Sequence, residues 1–348
     1  VSYYLYFRTE MRVQSNFPLK KLNTFGLDIQ AKLYSEVSTE EDILLLIQSD
    51  DLRKENKFIL GGGSNILFTK NLDALCIYNA IKGITSLKED GDYAWVKAGA
   101  GEVWHHLVLF CIENNWGGVE NLSLIPGSTG AAPIQNIGAY GVELKETFYQ
   151  LEAIHLLSGE KKVFSFDDCR FGYRDSVFKR EFKNQFIITS LTLRLNKKPK
   201  LNTSYGAIEL ELKAMNVSAP NVKAISQAVI NIRKSKLPDP AVIGNCGSFF
   251  KNPEVSNDKY SELKKMFADM VAHATKNGMM KLSAGWMIEQ CGWKGKQVGN
   301  VGMHAKQALV LVNYGNASGK ELYDHALKVK ESVKEKFDVE LEIEVNVL

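Results

Sequence analysis

Two glycine-dense runs are the first places where this sequence could do chemistry: Gly61-Gly62-Gly63-Ser64-Asn65-Ile66 and Pro126-Gly127-Ser128-Thr129-Gly130-Ala131-Ala132-Pro133. Bare backbone after a strand lets N–H groups approach a phosphate without side-chain obstruction. One such loop is weak evidence, since glycine also serves tight turns. Neither run fits the usual nucleotide templates. The first carries Ile66 where a GxGxxG fingerprint needs its third glycine, and neither leads into the Lys-Ser/Thr of a P-loop. The second continues as Gln135-Asn136-Ile137-Gly138-Ala139-Tyr140-Gly141. Amides and small residues at this density suit a flat heteroaromatic ring edged by donors and acceptors. A ligand carrying both a diphosphate and a polar ring is the economical inference, and a set of purely structural turns is the alternative.

The elements that must position these loops can be read from pattern. Ser38-x-x-Glu41 predicts a capping box opening a helix with Ile43, Leu44 and Ile47 on one face. Phe58–Leu60 reads as a short buried strand feeding the first loop, with further strands at Ala74–Tyr78 and Tyr93–Ala98. A helix is expected over 101–115, burying Val103, Leu107, Phe110 and Cys111 and stopping at Gly117-Gly118. Residues 149–196 alternate in strand fashion, through Leu151, Ala153, His155 and Leu157, then Phe186, Ile188, Ser190 and Thr192. From about Pro220 a helix to Lys234 buries Val222, Ile225, Val229 and Ile232, and Leu237-Pro-Asp-Pro240 then breaks the chain. A strand follows near Ala308–Asn313. A helix capped by Ser318-x-x-Glu321 buries Leu322, Ala326, Val329, Val333 and Phe337. A closing strand alternates Val339, Leu341, Ile343, Val345 and Val347 against Glu340, Glu342 and Glu344. The class is α+β.

At 348 residues the chain can bury a large core and is expected to form two or three structural units. A net charge of +3, with basic residues interleaved among acids, argues against nucleic acid or a membrane surface as partner. Five scattered cysteines lack CxxC spacing, so reduced thiols in a cytoplasmic protein are expected rather than disulfides or zinc. His105 and His106 are neighbours on a helix, about 100° apart, and cannot share a metal. No metal site is expected. Residues 1–10 lack the long apolar stretch of a signal peptide and read as an upstream extension before a start at Met11.

A set of longer motifs resembles one family. These are Gly61-Gly-Gly-Ser-Asn65, Ile125-Pro-Gly-Ser128, Pro133-Ile-Gln-Asn-Ile-Gly-Ala-Tyr-Gly141, Cys169-Arg-Phe-Gly-Tyr-Arg-Asp-Ser176, Lys236-Leu-Pro-Asp-Pro240, Gly244-Asn-Cys-Gly-Ser-Phe-Phe-Lys-Asn-Pro253, Ala284-Gly-Trp286 and Gln307-Ala-Leu-Val310. In this order, from Asn23 to Val345, they resemble the UDP-N-acetylenolpyruvoylglucosamine reductases. Thr203-Ser-Tyr-Gly206 further resembles the type I branch, which carries a tyrosine loop over the substrate. The resemblance implies a two-part FAD-binding unit of the vanillyl-alcohol-oxidase (PCMH) type, over 11–75 and 76–225. A C-terminal α+β substrate-binding domain would follow over 226–337, with a closing strand at 338–348. It implies an NADPH-dependent, FAD-mediated reduction in peptidoglycan precursor synthesis. UDP-N-acetylglucosamine enolpyruvate would take hydride from flavin N5 at C3 and become UDP-N-acetylmuramate. The enzyme would be monomeric and act on small molecules only.

The same resemblance implies roles for individual residues. FAD would be held by Gly61, Gly62, Gly63, Ser64, Asn65 and Ile66, by Pro126, Gly127, Ser128, Gly130, Ala131 and Pro133, and by Gln135, Asn136, Gly138, Ala139, Tyr140 and Gly141. Arg174 would clamp the enolpyruvyl carboxylate with its planar, permanently charged fork. Glu344 would stand beside it as a neutral donor, and Ser248 would give the proton to C2. Tyr173, Tyr205, Lys236, Asn252, Lys294 and Gln307 would bind the UDP-sugar. Without the family, Arg174 reads as a surface ion pair, Glu344 as the wet face of a strand, Ser248 as a turn serine and the lysines as solvated charges. One segment departs from the pattern. Type I relatives carry a tyrosine before Ala284-Gly-Trp286, whereas residues 271–280 here offer only His273 as a ring, which puts uridine recognition in doubt.

Two other functions fit parts of the chain. An oxidase of small alcohols on the same flavin fold would need the front half but not Tyr205, Ser248 or Glu344. A non-catalytic UDP-sugar sensor would need the loops alone. Bound FAD should make the purified protein yellow, with a visible flavin absorbance band; a colourless protein that refuses reconstitution with flavin would leave only the sensor.

Overall fold

The first glycine loop leaves the end of a parallel strand, and the rest of the fold can be followed outward from there. The structure, a computed structural model, describes residues 12–275 and 277–348. The expected start at Met11 and the extension before it lie outside the described residues. The described residues form two compact units, one of residues 12–17, 30–62 and 72–232, the other of 18–29, 63–71 and 233–348.

In the first unit a four-stranded sheet runs in the order Gln14–Pro18, Gln30–Val37, Leu72–Asn79, Lys57–Leu60, and the last three strands pair in parallel. The helix Glu40–Gln48 covers it with Ile43, Leu46 and Ile47 against Val37, Leu75 and Ile77. Its cap lies one residue later than the sequence pattern suggests. Thr39 Oγ1 accepts from Asp42 N, and the Asp42 carboxylate takes both Ser38 N and Thr39 N, so Asp42 does the work expected of Glu41.

A five-stranded antiparallel sheet follows, ordered Lys161–Ser165, Phe148–His155, Phe186–Asn196, Tyr93–Gly99, Ile84–Glu89. Its central strand Phe186–Asn196 does not alternate between core and solvent as expected. Ile187 belongs to the core under the parallel sheet, while Ile188, Leu191, Leu193 and Leu195 belong to a larger core on the other side. Burial on both faces removes the period-two signal. Leu157 lies beyond the end of its strand and is exposed.

The helix expected over 101–115 spans Trp104–Glu113. Val103 is its exposed N-cap, so the buried stripe is Trp104, Leu107, Val108, Cys111 and Ile112, and Trp104 Nε1 donates to Leu122 O at 2.9 Å. Asn115, at φ +57°, turns the chain before the glycines are reached. Two helices, Gly206–Ala214 and Val222–Lys236, share a small core of Ile208, Leu212, Ile225, Ala228, Val229 and Ile232, which matches the face read from sequence.

The second unit is built on an antiparallel sheet ordered Gly244–Ser248, Val310–Asn313, Val301–Met303, Gln297–Val298. The helix Gly319–Phe337 carries the expected capping box of Ser318 and Glu321 and buries Leu322, Ala326, Val329, Val333 and Phe337. Phe337 meets the rings of Phe267 and Trp286 at 4.7 and 5.8 Å. The closing segment keeps its expected alternation of burial but is not one continuous strand. It pairs at Ile343 with Phe250, then as Asn346–Val347 in parallel with Ile66–Leu67. Of the five cysteines, Cys76, Cys111, Cys169 and Cys246 are buried, and burial pushes the thiols of Cys76 and Cys169 up to about 12.

His325 lies in this second core, 3% exposed, edge-on to Trp293, with no hydrogen-bond partner for Nε2 among the described residues. Burial, reinforced by Lys328 and Lys296, lowers its pKa from 6.5 to about 4. The fold therefore favours the neutral ring, and the unfolded chain binds the extra proton between those values. Stability is fully present above pH 6.5 and lost as pH falls through the window toward 4. Urea midpoints measured from pH 7 down to pH 4 should fall more steeply for the parent than for His325→Phe; parallel curves would remove His325 as the cause.

Candidate active site

In the first unit the two glycine loops touch through backbone. A β-carbon on Gly61 would stand 2.3 Å from Ser128 Oγ, and one on Gly62 would stand 2.7 Å from Gly127 Cα. Gly130 is barred in the same way by Ala100. The bareness of these residues is thus used first to bring chain against chain. The second loop is pinned by Trp104 N to Gly127 O, Thr129 N to Glu102 O at 2.7 Å and Gly130 N to Ala100 O at 2.8 Å. Among the described residues the N–H groups of Gly62, Gly127 and Ser128 have no partner, and the fully buried hydroxyl of Thr129 is also unpaired. Ser128 and Thr129 are buried, Gly127 is half-buried and Gly62 is exposed, and for the buried members a donor without an acceptor costs on the order of 1–3 kcal/mol. Acceptor-only oxygens, such as those of a dinucleotide's diphosphate, are what this set lacks. The residues present fit FAD in that respect. Thr129 is the member of the cradle that sequence reasoning passed over.

The continuation of the loop is more structural than its composition suggests. Asn136 is buried at φ +43°, with Nδ2 donating to Gly172 O at 2.9 Å and Oδ1 accepting from Lys145 N at 3.0 Å. Its side chain therefore shapes the segment that carries Tyr173 and Arg174. Gly138-Ala139 and Val142-Glu143 form a two-residue hairpin whose tip, Tyr140-Gly141, has φ +50° and +80°. Pro133 is buried, while Ala131 and Gln135 are half-buried and Pro126 is exposed.

Arg174 adopts φ +52°, an uncommon conformation for a non-glycine residue. Its Nη2 donates to Gly138 O at 2.6 Å, and a β-carbon on Gly138 would lie 2.9 Å from Nη1. Gly138 is thus bare where the guanidinium lies. The adjacent Asp175 pairs with Arg180 at 3.0 Å. Tyr173 lies under the guanidinium, 5.5 Å from ring centre to Cζ. Tyr205 caps the helix Gly206–Ala214 and meets Tyr140 edge-on at 5.3 Å.

In the second unit Gly63, at φ +60°, is held against Leu22, whose carbonyl oxygen would be 2.0 Å from a β-carbon. Asn65 O accepts from Asn346 N and Nδ2 at 3.1 Å, and Asn65 Nδ2 reaches Glu344 O at 3.5 Å, so Asn65 and the closing segment are tied. Glu344 N donates to Phe249 O, and Lys251 N to Glu342 O, both at 2.9 Å, which sets the Glu344 backbone against the residues just after Ser248. A bulge at Cys246-Gly247, with Gly247 at φ +75°, puts Ser248 on the exposed side of its strand. Cys246 is buried beneath, and burial, with the Glu344 carboxylate second, drives its thiol well above the ordinary range.

The other predicted substrate residues are more dispersed. Asn252 and Gln307 both meet the start of the helix Ala284–Gln290. Asn252 Oδ1 accepts from Ala284 N at 3.0 Å, and Gln307 Oε1 would lie 3.2 Å from a β-carbon on Gly285. Lys294 is paired with Glu289 at 2.8 Å, Lys236 is exposed, and His273 is exposed on the short strand Ala272–Ala274. Among the described residues no helix is long and apolar enough to cross a membrane, and no group of three or more His, Cys, Asp or Glu could hold a metal ion.

Known proteins resemble this chain over nearly its whole length. The FAD binding domain family matches residues 31–163, and the family described as UDP-N-acetylenolpyruvoylglucosamine reductase, C-terminal domain, matches 239–348. The UDP-N-acetylenolpyruvoylglucosamine reductase of Flavobacterium johnsoniae is 50% identical over 339 residues, 97% of this chain and 100% of the relative. That of Amoebophilus asiaticus is 50% identical over 338 residues, with the same coverage. The crystal structure of UDP-N-acetylenolpyruvylglucosamine reductase from Thermus caldophilus aligns over 97% of this chain and 99% of its own, with a TM-score of 0.66 at 24% identity, a likeness of fold. The α+β class, with an FAD-binding part followed by a C-terminal domain, agrees with the sequence expectation.

If the contact between the loops shapes the cradle, Gly62→Ala must part them, because the obstructing atom is backbone. Flavin absorbance per protein after dialysis should show FAD binding weakened about tenfold, roughly 1.4 kcal/mol. Full retention would mean that the loop contact and the cofactor are independent.

Proposed function

The chain belongs to the UDP-N-acetylenolpyruvoylglucosamine reductases and is a flavin-dependent oxidoreductase that binds FAD, and from this premise we propose how its own residues perform the reaction. The substrate is UDP-N-acetylglucosamine enolpyruvate, the electron donor is NADPH, and the product is UDP-N-acetylmuramate for peptidoglycan synthesis. The second unit supplies the greater part of the substrate-binding domain. FAD would be held by Gly62, Gly127, Ser128 and Thr129 and, once reduced by NADPH, would supply the hydride that C3 of the enolpyruvyl group accepts.

The remaining work falls to side chains. Addition at C3 leaves negative charge on C2 and, by conjugation, on the carboxylate oxygens. That charge must be met by donors already in place, because reorganising solvent at that moment is expensive. Arg174 meets it with a fixed fork, its other face seated on Tyr173 and one nitrogen held by Gly138 O. Glu344, as a neutral carboxylic acid, donates a further hydrogen bond. Desolvation and the substrate's own carboxylate both favour its protonated form. Ser248 Oγ gives its proton to C2 and completes a lactyl ether. Lys236 and Lys294 neutralise the diphosphate, while Asn252, Gln307 and Tyr205 orient the nucleotide sugar.

The observation that carries this reading is the bulge at Cys246-Gly247. It breaks the ladder just before Ser248 and leaves the hydroxyl exposed and, among the described residues of its unit, unbonded, beside the closing segment that carries Glu344. A serine needed only to cap or close a turn would spend its oxygen on backbone.

The test separates the two half-reactions. Ser248→Ala should be reduced by NADPH at the parental rate, followed at the flavin absorbance band under anaerobic conditions. Reoxidation by UDP-N-acetylglucosamine enolpyruvate should slow at least about 100-fold, the lower end for general-acid removal. Reoxidation at the parental rate would exclude Ser248 as proton donor.

A further inference from the structure

The segment that bears Tyr205 borders a cavity. The cavity, of about 740 Å³, is lined by Leu201, Asn202, Thr203 and Ser204 and also by Glu120 and Thr147. Leu201 packs against the small helical core, whereas Ser204 and Tyr205 are exposed, Tyr205 by 47%. Two side-chain amides hold this segment. Asn121, 1% exposed, donates through Nδ2 to Tyr140 O and to Asn202 O, both at 3.0 Å. Both partners are carbonyl oxygens, so the nitrogen end of the amide must face them. The opposite atom, Oδ1, is left buried without a partner among the described residues, a cost accepted to keep the bridge. Asn202 then donates through Nδ2 to Gly141 O at 3.4 Å, while its Oδ1 takes Ser204 N and Oγ at 3.3 and 2.9 Å.

Both carbonyls of the hairpin tip are thus held by amides, and the tip also presents the Tyr140 ring on which Tyr205 rests at 5.3 Å. A β-carbon on Gly141 would stand 3.3 Å from Asn202 Nδ2, so the tip is bare where that amide sits. The left-handed backbone at Tyr140 turns its side chain at a position that glycine or asparagine usually fills.

We propose that Asn202 and Asn121 are positioning residues for the nucleotide substrate: they bind the Tyr205 loop to the Tyr140-Gly141 tip and so fix the tyrosine ring over its site. This rests on the reading of Tyr205 as a substrate contact given above. The two amides act through Tyr205 and need touch no ligand themselves.

The test uses the full-length FAD-loaded enzyme with saturating NADPH and reads KM for UDP-N-acetylglucosamine enolpyruvate together with flavin content. Asn202→Ala removes the donor and the acceptor. Asn202→Asp keeps the acceptor for Ser204 and removes only the donor to Gly141. Both should raise KM about 3- to 10-fold, the range of one or two hydrogen bonds, at parental flavin content. In a Tyr205→Ala background the same changes should alter KM less than about twofold, because the ring they position is gone. Parental KM in both Asn202 variants, or an equal rise with and without the ring, overturns the positioning role. A Tyr205→Ala enzyme with parental KM overturns instead the reading of Tyr205 as a substrate contact, and this proposal with it. A parent inert toward the enolpyruvyl nucleotide overturns the functional reading itself.

Discussion

The constraint on which the first unit's loops depend is the backbone meeting of Gly62 and Gly127, which leaves no room for even one β-carbon between two chain segments. Everything proposed for the cofactor depends on it. Two turns that could each have formed anywhere are forced into one cradle, where the Gly62, Gly127 and Ser128 amides and the Thr129 hydroxyl have no acceptors among the described residues. Supporting hydrogen bonds from Ala100, Glu102 and Trp104 come from the end of a buried strand and the start of a buried helix. The cradle is therefore as rigid as the core beneath it, as a preorganised anion site requires.

The second unit solves a different problem. A neutral hydroxyl must be presented without being used up by the backbone around it. The bulge at Cys246-Gly247 and the discontinuous closing segment do this together, since a regular ladder would have continued through both. These departures from regular pairing fall where chemistry is proposed. Elsewhere in the unit, the capped helix Gly319–Phe337 and its aromatic cluster follow the simplest packing rules.

How much of this was legible in the sequence depended on whether the information was local. The helix Gly319–Phe337 was readable to its cap because Ser318, Glu321 and the apolar stripe all lie within one segment. The stripe of Trp104–Glu113 came out rotated, because Val103 is apolar yet serves as an exposed cap, and position alone does not reveal that. Phe186–Asn196 lost its alternation because a second core lies on its other face. At the site, the glycine loops were visible as composition, and Arg174, Ser248 and Glu344 were reached only through resemblance to a family. Thr129, Asn121 and Asn202 were missed. Their significance comes from partners brought near by folding, 19 and 81 residues away in the case of Asn121, and nothing in the neighbouring letters marks them.

The burial of the native thiols has a practical consequence. A cysteine reacts as its thiolate, and burial raises the pKa of all five here, with only Cys291 partly accessible. Maleimide or spin-label reagents at neutral pH should therefore find little to modify in the folded protein. A single cysteine introduced on the exposed side of a loop would become the dominant target without first stripping out the natural ones. The protein is in this sense already prepared for fluorescence and spin-resonance measurements of its own motions.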